Sequence, residues 1–208
     1  MNLEELGRRF ARGATNAVVR SPLAWRLFRP LMRLQFDRLA PRWDAMRSEG
    51  AYAPYEAALE RVEPPRRALD VGTGTGEGAF AIARRFASAE VVGVDLAPAM
   101  VEEARRKTPD ALAGRVMFAV ADAAALPYPD ESFELVALGN MIPFFDELAR
   151  VLAPRGSAVF AFSAGPETPI YVPLERLRDE LARRGFADFA QISAGNGTAL
   201  VARKHDRP

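Results

Sequence analysis

At 208 residues the chain is long enough for one domain with a full core and a small appendage. Its 49% hydrophobic and 26% charged residues are those of an ordinary globular protein, and a formal net charge of +1 gives its overall field no pull toward nucleic acid or an anionic membrane. The absence of cysteine excludes disulfides, thiolate chemistry and cysteine metal sites and fits a cytoplasmic location, while no apolar run is long enough to cross a bilayer.

The chain opens on an Arg-rich stretch, with seven arginines against two glutamates between Met1 and Phe36. It lacks the uninterrupted apolar centre of a secretory signal and reads as part of the mature protein. Ser21-Pro22 is a good N-cap and first-turn pair, so a helix is expected to start there, and Pro30 is expected to interrupt it or to start a second one. Leu27, Leu31 and Leu34 fall on one helical face and Arg26, Arg29 and Arg33 on another. The preferred reading packs this helix over the domain with its arginines in solvent. The alternative is a basic amphipathic segment on a membrane surface or over an amphipathic substrate. A helical segment near Pro54–Val62 follows, and Glu63-Pro64-Pro65-Arg66-Arg67 punctuates the chain. The division expected is a helical N-terminal cap, residues 1–66, and an α/β body, residues 67–208.

The body alternates strand and helix, which predicts a mostly parallel sheet covered on both faces. Strands are expected over Ala68–Val71, Glu90–Val94, Val116–Val120, Phe133–Leu138 and Ser157–Phe162. Helices are expected over Glu77–Phe86, Pro98–Lys107, Phe144–Leu152 and Leu174–Arg184. Phe189–Ser193 and Thr198–Ala202 flank an Asn196-Gly197 hairpin signal, which predicts a closing antiparallel pair.

The chain is organised around Asp70-Val71-Gly72-Thr73-Gly74-Thr75-Gly76-Glu77-Gly78, a strand that runs through a glycine-rich turn into a helix N-terminus. Glycine serves where a Cβ would block a positive φ or hold the backbone off a ligand, and the helix start offers free N–H groups. A dinucleotide and S-adenosylmethionine both use such a turn, and the turn alone does not choose between them. In an open α/β sheet the ligand lies beyond the carboxyl ends of the strands. Asp95 stands there, nineteen residues after Gly76. Its carboxylate can accept both hydroxyls of a ribose or cap the next helix, and the spacing favours the ribose. Asp122 with Ala123 can read the edge of an adenine, or Asp122 can cap a turn. Asn140 can face a ligand or cap a helix. The sole histidine, His205, lies in a charged tail and reads as solvated.

Taken together these stretches resemble a class I S-adenosylmethionine-dependent methyltransferase. They are most similar to the small-molecule branch that includes the ubiquinone/menaquinone-biosynthesis methyltransferases. The resemblance runs from about Phe36 to Lys204. It rests on Leu69–Gly76, Val94–Met100, Ala121–Tyr128, Ser132–Val136, Glu147–Gly156 and Gly185-Phe186. It implies a Rossmann-like sheet with a C-terminal antiparallel hairpin. It also implies a cofactor site made of Asp70, Gly72, Thr73, Gly74, Gly76, Asp95, Leu96, Met100, Asp122, Ala123, Asn140 and Met141, with no metal. In that site the glycines would pass under the methionine part, Asp70 would help receive the amino group, and Asn140 and Met141 would flank the sulfonium. Phe36, Asp37, Trp43 and Asp44 look like the segment that covers the cofactor in this branch.

Two departures stand out. The chain between Leu138 and Glu147 is shorter than usual and lacks the histidine often found there. The Ser163–Val172 link carries no lid insertion. The acceptor site is therefore expected to be open, roofed by the N-terminal helices, or closed by a second subunit in a homodimer. The leading reading is methyl transfer to a small acceptor, hydrophobic if Trp25, Phe28, Trp43, Tyr52, Tyr55, Phe144 and Phe145 line its pocket rather than the core. The alternatives are a non-catalytic S-adenosylmethionine-binding or partner protein, and a nicotinamide oxidoreductase, for which the chain lacks a substrate domain after the sheet.

Overall fold

Seven strands form one sheet in the order β3-β2-β1-β4-β5-β7-β6. The computed structural model describes residues 3–206. The strands are β1 (Arg67–Val71), β2 (Glu90–Asp95), β3 (Val116–Val120), β4 (Phe133–Gly139), β5 (Leu152–Phe162), β6 (Phe186–Ala194) and β7 (Gly197–Lys204). The first five run parallel, and β7 runs antiparallel to both β5 and β6. The chain steps outward from β1 to β2 and β3, then returns to β4 on the other side of β1 and continues away. That reversal opens a crevice beyond the carboxyl ends of β1 and β4, where open α/β sheets bind ligands.

Central strands of a parallel sheet are buried on both faces, and the period of two splits their residues between two cores. Leu69, Val71, Val136, Leu138, Phe160 and Leu200 belong to one core, and Ala68, Leu135, Ala137, Val159, Ala161 and Val201 to the other. Helices α4 (Glu77–Arg85) and α5 (Pro98–Lys107) cover the second face together with α3 (Ala53–Leu59). On the first face lie α6 (Phe145–Val151), α7 (Leu174–Ala182) and the buried residues of α1 (Leu3–Arg20) and α2 (Trp25–Leu39). Arginines moor α1: Arg8 donates to the carbonyl of Glu167 at 2.8 Å, and Arg12 to those of Pro166 and Thr168 at 2.8 and 3.1 Å.

Three local expectations are corrected. A single 3-10 turn, Pro22–Ala24, leads directly into α2, and Pro30 sits inside that helix without interrupting it. The ring is on the exposed side, so the proline forfeits one N–H bond to the carbonyl of Arg26 but meets no packed neighbour there. The leucine face of α2 is not packed: Leu27, Leu31 and Leu34 are 77%, 54% and 46% exposed, and Trp25, Phe28, Met32 and Phe36 face inward instead. The hairpin turn is Gly195-Asn196, since Ala194 pairs with Gly197; Gly195 takes the positive φ of 55° that a Gly-first two-residue turn requires. Gly197 lies in the strand beneath the carbonyl of Phe162, too close for any Cβ.

Other boundaries differ by less. The fifth strand, expected over Ser157–Phe162, begins earlier, at Leu152, and carries a distortion with Arg155 at φ 63° and a register shift opposite Phe133 and Leu135. The last helix stops at Ala182, two residues short of Arg184.

Candidate cofactor site

The glycine turn sits where β1 meets α4. The Gly72 and Thr73 amides donate to the carbonyl of Val94 at 2.8 and 2.9 Å, which ties the turn to the end of β2. Gly72, Gly74 and Gly76 take φ values of 70°, 53° and 95°, a region costly for other residues. They do two different jobs. A Cβ on Gly72 would stand 2.7 Å from the Met141 sulfur, and one on Gly74 would stand 3.3 Å from Trp43 Nε1. Both glycines therefore face the crevice. Gly76 caps α4 and faces the rings of Phe80 and Phe118 at 2.9 Å, so its missing side chain serves packing. Gly78, outside the expected set, matters as much: a Cβ there would lie 2.6 Å from the Asp70 carboxylate. Its signal was a glycine in the first turn of a helix, where it costs propensity without a local reason.

Asp70 is buried at the end of β1. Tyr55 donates its hydroxyl to Asp70 Oδ1 at 2.7 Å, while Asp70 Oδ2 and the Thr73 hydroxyl are buried without a hydrogen bond. Burial raises the Asp70 pKa to about 6 against the lowering influence of the neighbouring Thr73 hydroxyl, Tyr55 and the Ala79 amide, and the charge of Asp95 adds to the rise. Asp95 accepts from the Gly74 amide on one oxygen and the Ala97 amide on the other, both at 2.9 Å. Burial raises its pKa too, against those same donors and the Leu96 amide. The ribose and helix-cap readings of Asp95 are thus compatible: it caps the approach to α5 while facing the glycine turn.

Asp122 follows β3. One oxygen accepts from Trp25 Nε1 at 2.8 Å and from the Ala124 amide at 2.9 Å, and the other pairs with Arg29 at 3.2 Å. The inner side of α2 is therefore docked on the position expected to read adenine. Leu96 is partly exposed, whereas Ala123 and Met100 are buried, the latter with Ala40 and Ala97 beneath Phe36, Leu39 and Trp43. Asn140, at φ 50°, exchanges hydrogen bonds with Ser163 across the ends of β4 and β5. It lines a small cleft with Tyr52, Tyr55, Gly139, Ala161 and Ser163. Of the other aromatic residues, Trp25, Phe144 and Phe145 are buried in the core, with Trp25 edge-on to Phe144 at 5.3 Å.

The end of α2 and the segment that leads to α3 close over the turn. Asp37 accepts from the Ala99 amide at 3.0 Å, and Trp43 stacks edge-on with Phe36 at 5.5 Å. Asp44 accepts from Thr75 Oγ1 and Lys107 Nζ, each at 2.6 Å, and pairs with Arg47. Desolvation opposes ionisation of Asp44, but these partners outweigh it and hold its pKa below the ordinary value. This segment, Tyr55 and Arg29 were the parts that strand-end reasoning could not find, because they come from outside the sheet.

The donor set fits S-adenosylmethionine in kind. Carboxylates stand at three successive strand ends, one of them with a buried oxygen lacking a partner, around glycines whose open faces meet only the movable side chains of Met141 and Trp43. The strand order, with its closing antiparallel pair, is that of the class I methyltransferase fold. Comparison with known proteins agrees with that fold: residues 68–156 match the family described as "Methyltransferase domain". The chain is 44% identical over 154 residues to a malonyl-[acyl-carrier protein] O-methyltransferase of Halorhodospira halophila, a match covering 67% of this chain and 50% of that protein. It is 41% identical over 139 residues to a demethylmenaquinone methyltransferase of Thermus thermophilus, covering 60% of this chain and 62% of that one. The chain thus spans between half and two thirds of the length of these relatives. Among solved structures, a SAM-dependent methyltransferase from Aquifex aeolicus superposes with a TM-score of 0.67 at 17% identity, covering 79% of this chain and 97% of that one. Haemonchus contortus phosphoethanolamine N-methyltransferase 2, solved with S-adenosyl-L-methionine, gives 0.59 at 21%, covering 72% and 52%.

Proposed function

We propose that this chain transfers a methyl group from S-adenosylmethionine to a small hydrophobic acceptor. The carrying observation is the buried, half-partnered carboxylate of Asp70, which lies at the end of β1 against Gly78 in the first turn of α4. A neutral ligand would gain little from such a group, whereas a cationic amine would. The cofactor supplies, when bound, a methyl group activated by a sulfonium. This chain's residues bind and orient it. Asp70 takes the amino group, Asp95 the ribose hydroxyls and Asp122 the adenine edge, with Leu96 and Met100 on the apolar side. The acceptor enters by the cleft of Tyr52, Tyr55, Gly139 and Asn140, which sets two aromatic rings beside the polar groups of Asn140 and Ser163. Water is excluded by the Trp43 segment and Met141. The helical cap, residues 1–66, serves the body, residues 67–208, as the wall of that cleft.

The test is S-adenosylhomocysteine release on incubation with malonyl thioesters or demethylmenaquinone, the acceptors for which the two relatives are named. Calorimetry with S-adenosylmethionine accompanies it. Asp95→Ala should weaken cofactor affinity by about 1–3 kcal/mol, the loss of charge-assisted hydrogen bonds; unchanged affinity removes Asp95 from the site. A second reading, a non-catalytic cofactor-binding protein, is favoured by the short connection between β4 and α6, residues 140–144. It is accepted if the cofactor binds and no acceptor elicits S-adenosylhomocysteine.

A further inference from the structure

The cap presents a surface that methyl transfer does not use. Leu27, Leu31 and Leu34 recur at intervals of four and three along α2 and lie within an arc of about 60° on its outer side. Leu23, 70% exposed, extends the row by one turn toward the N-terminus. Arg26 and Arg33 border the row, and Arg38 continues it toward the C-terminus. Arg33 pairs loosely with Asp37 at 3.8 Å, while Arg26 and Arg38 make no ion pair among the described residues. Scattered exposed leucines need no explanation, but four in one row with unpaired arginines beside them do.

We infer that this outer face of α2 docks on the surface of an anionic lipid bilayer, with the leucines entering the boundary between headgroups and acyl chains. Charge decides the occupant. The guanidinium groups beside the row complement lipid phosphates, and apolar area plus electrostatic attraction is what holds a helix in the interfacial plane. A second copy of this chain would bring Arg26, Arg33 and Arg38 against their own kind, and the nearby carboxylate of Asp37 is already engaged by the Ala99 amide. No helix of the described residues is long and apolar enough to span a membrane, so the contact is peripheral. The near-neutral total charge does not oppose it, because binding depends on the local face. Docking places no demand on the other side of α2, where Trp25 and Arg29 hold Asp122. The inference goes beyond the methyltransferase reading and stands or falls without it.

The experiment is co-sedimentation of the full chain with vesicles of phosphatidylcholine alone and of phosphatidylcholine with phosphatidylglycerol, at low and high salt. Binding is expected only to the anionic vesicles. Leu27→Gln with Leu31→Gln should lower the partition coefficient by at least about tenfold. Arg26→Gln with Arg38→Gln should lower it similarly and flatten its salt dependence. All four positions are exposed, so melting temperatures should stay close to that of the parent chain. Equal binding to neutral vesicles, no binding to either kind, or binding indifferent to both variant pairs overturns the inference. A concentration-dependent dimer that the leucine variant dissociates overturns it too, by giving the face to a second copy.

Discussion

Asp70 concentrates the physical tension of the site in one side chain. Its folded pKa of about 6 lies above the ordinary 3.8, so the folded chain holds the proton more tightly than the unfolded chain does. The stability this contributes is complete below about pH 3.8 and is lost as pH rises through about 6. At neutral pH the buried charge costs about 3 kcal/mol, and Asp70→Asn should recover part of it; denaturant melts at pH 4 and pH 7.5 check the trend. Cofactor affinity should run the opposite way. Ionised Asp70 attracts an ammonium group, so affinity rises as pH climbs through about 6 in the parent chain and stays flat in Asp70→Asn, by calorimetry. Gly78 belongs to the same balance. Gly78→Ala would push a methyl group into that carboxylate and should destabilise the fold by about 1–3 kcal/mol in urea melts, although alanine is the better helix former.

Arginines tie several elements together. Arg150 on α6 donates to the carbonyls of Leu126 and Tyr128 and to the carboxylates of Glu147 and Asp130, and Glu147 in turn accepts from the Leu126 amide at 2.6 Å. This clamp positions the loop that carries Asp122. Arg150→Ala should lower stability by about 1–3 kcal/mol, since two carbonyls and a partly buried glutamate lose their partner. Helix α2 bears on the same loop from the other side. Trp25→Phe withdraws the indole donor from Asp122, and S-adenosylmethionine affinity should then rise roughly fivefold, the worth of one competing hydrogen bond; calorimetry showing no change would mean that Asp122 does not meet the base. The sheet and most of these elements were legible in the sequence, because central parallel strands are continuous apolar runs and Pro98, Asp95 and Gly185 punctuate them. The orientation of α2 was not. Leucine periodicity locates an apolar face but does not say which face of the helix the body will cover, and Trp25, Met32 and Phe36 outweigh the leucines in buried area. Nor was Tyr55 on Asp70, since the two share no sequence pattern.

Across the whole molecule, two kinds of cohesion divide the labour. The sheet is held by ladders and two apolar cores, while the end of α2 and the stretch after it are held over the crevice by a few side-chain contacts, those of Asp37, Trp43 and Asp44. Amides of residues 40–50 should therefore exchange with deuterium on the order of a thousandfold faster than those of β1 and β4, and S-adenosylmethionine should slow them. Equal protection in both regions would mean that the crevice does not open independently.

Strand β7 lies between β5 and β6 although it follows both in the chain. A polypeptide growing from its N-terminus makes β6 before it has anything to pair with, and the edge of β5 stays bare until the final strand arrives. Synthesis thus leaves a half-built sheet with an adhesive rim, which makes this a chain whose yield in cells should depend on chaperones more than its folded stability would suggest.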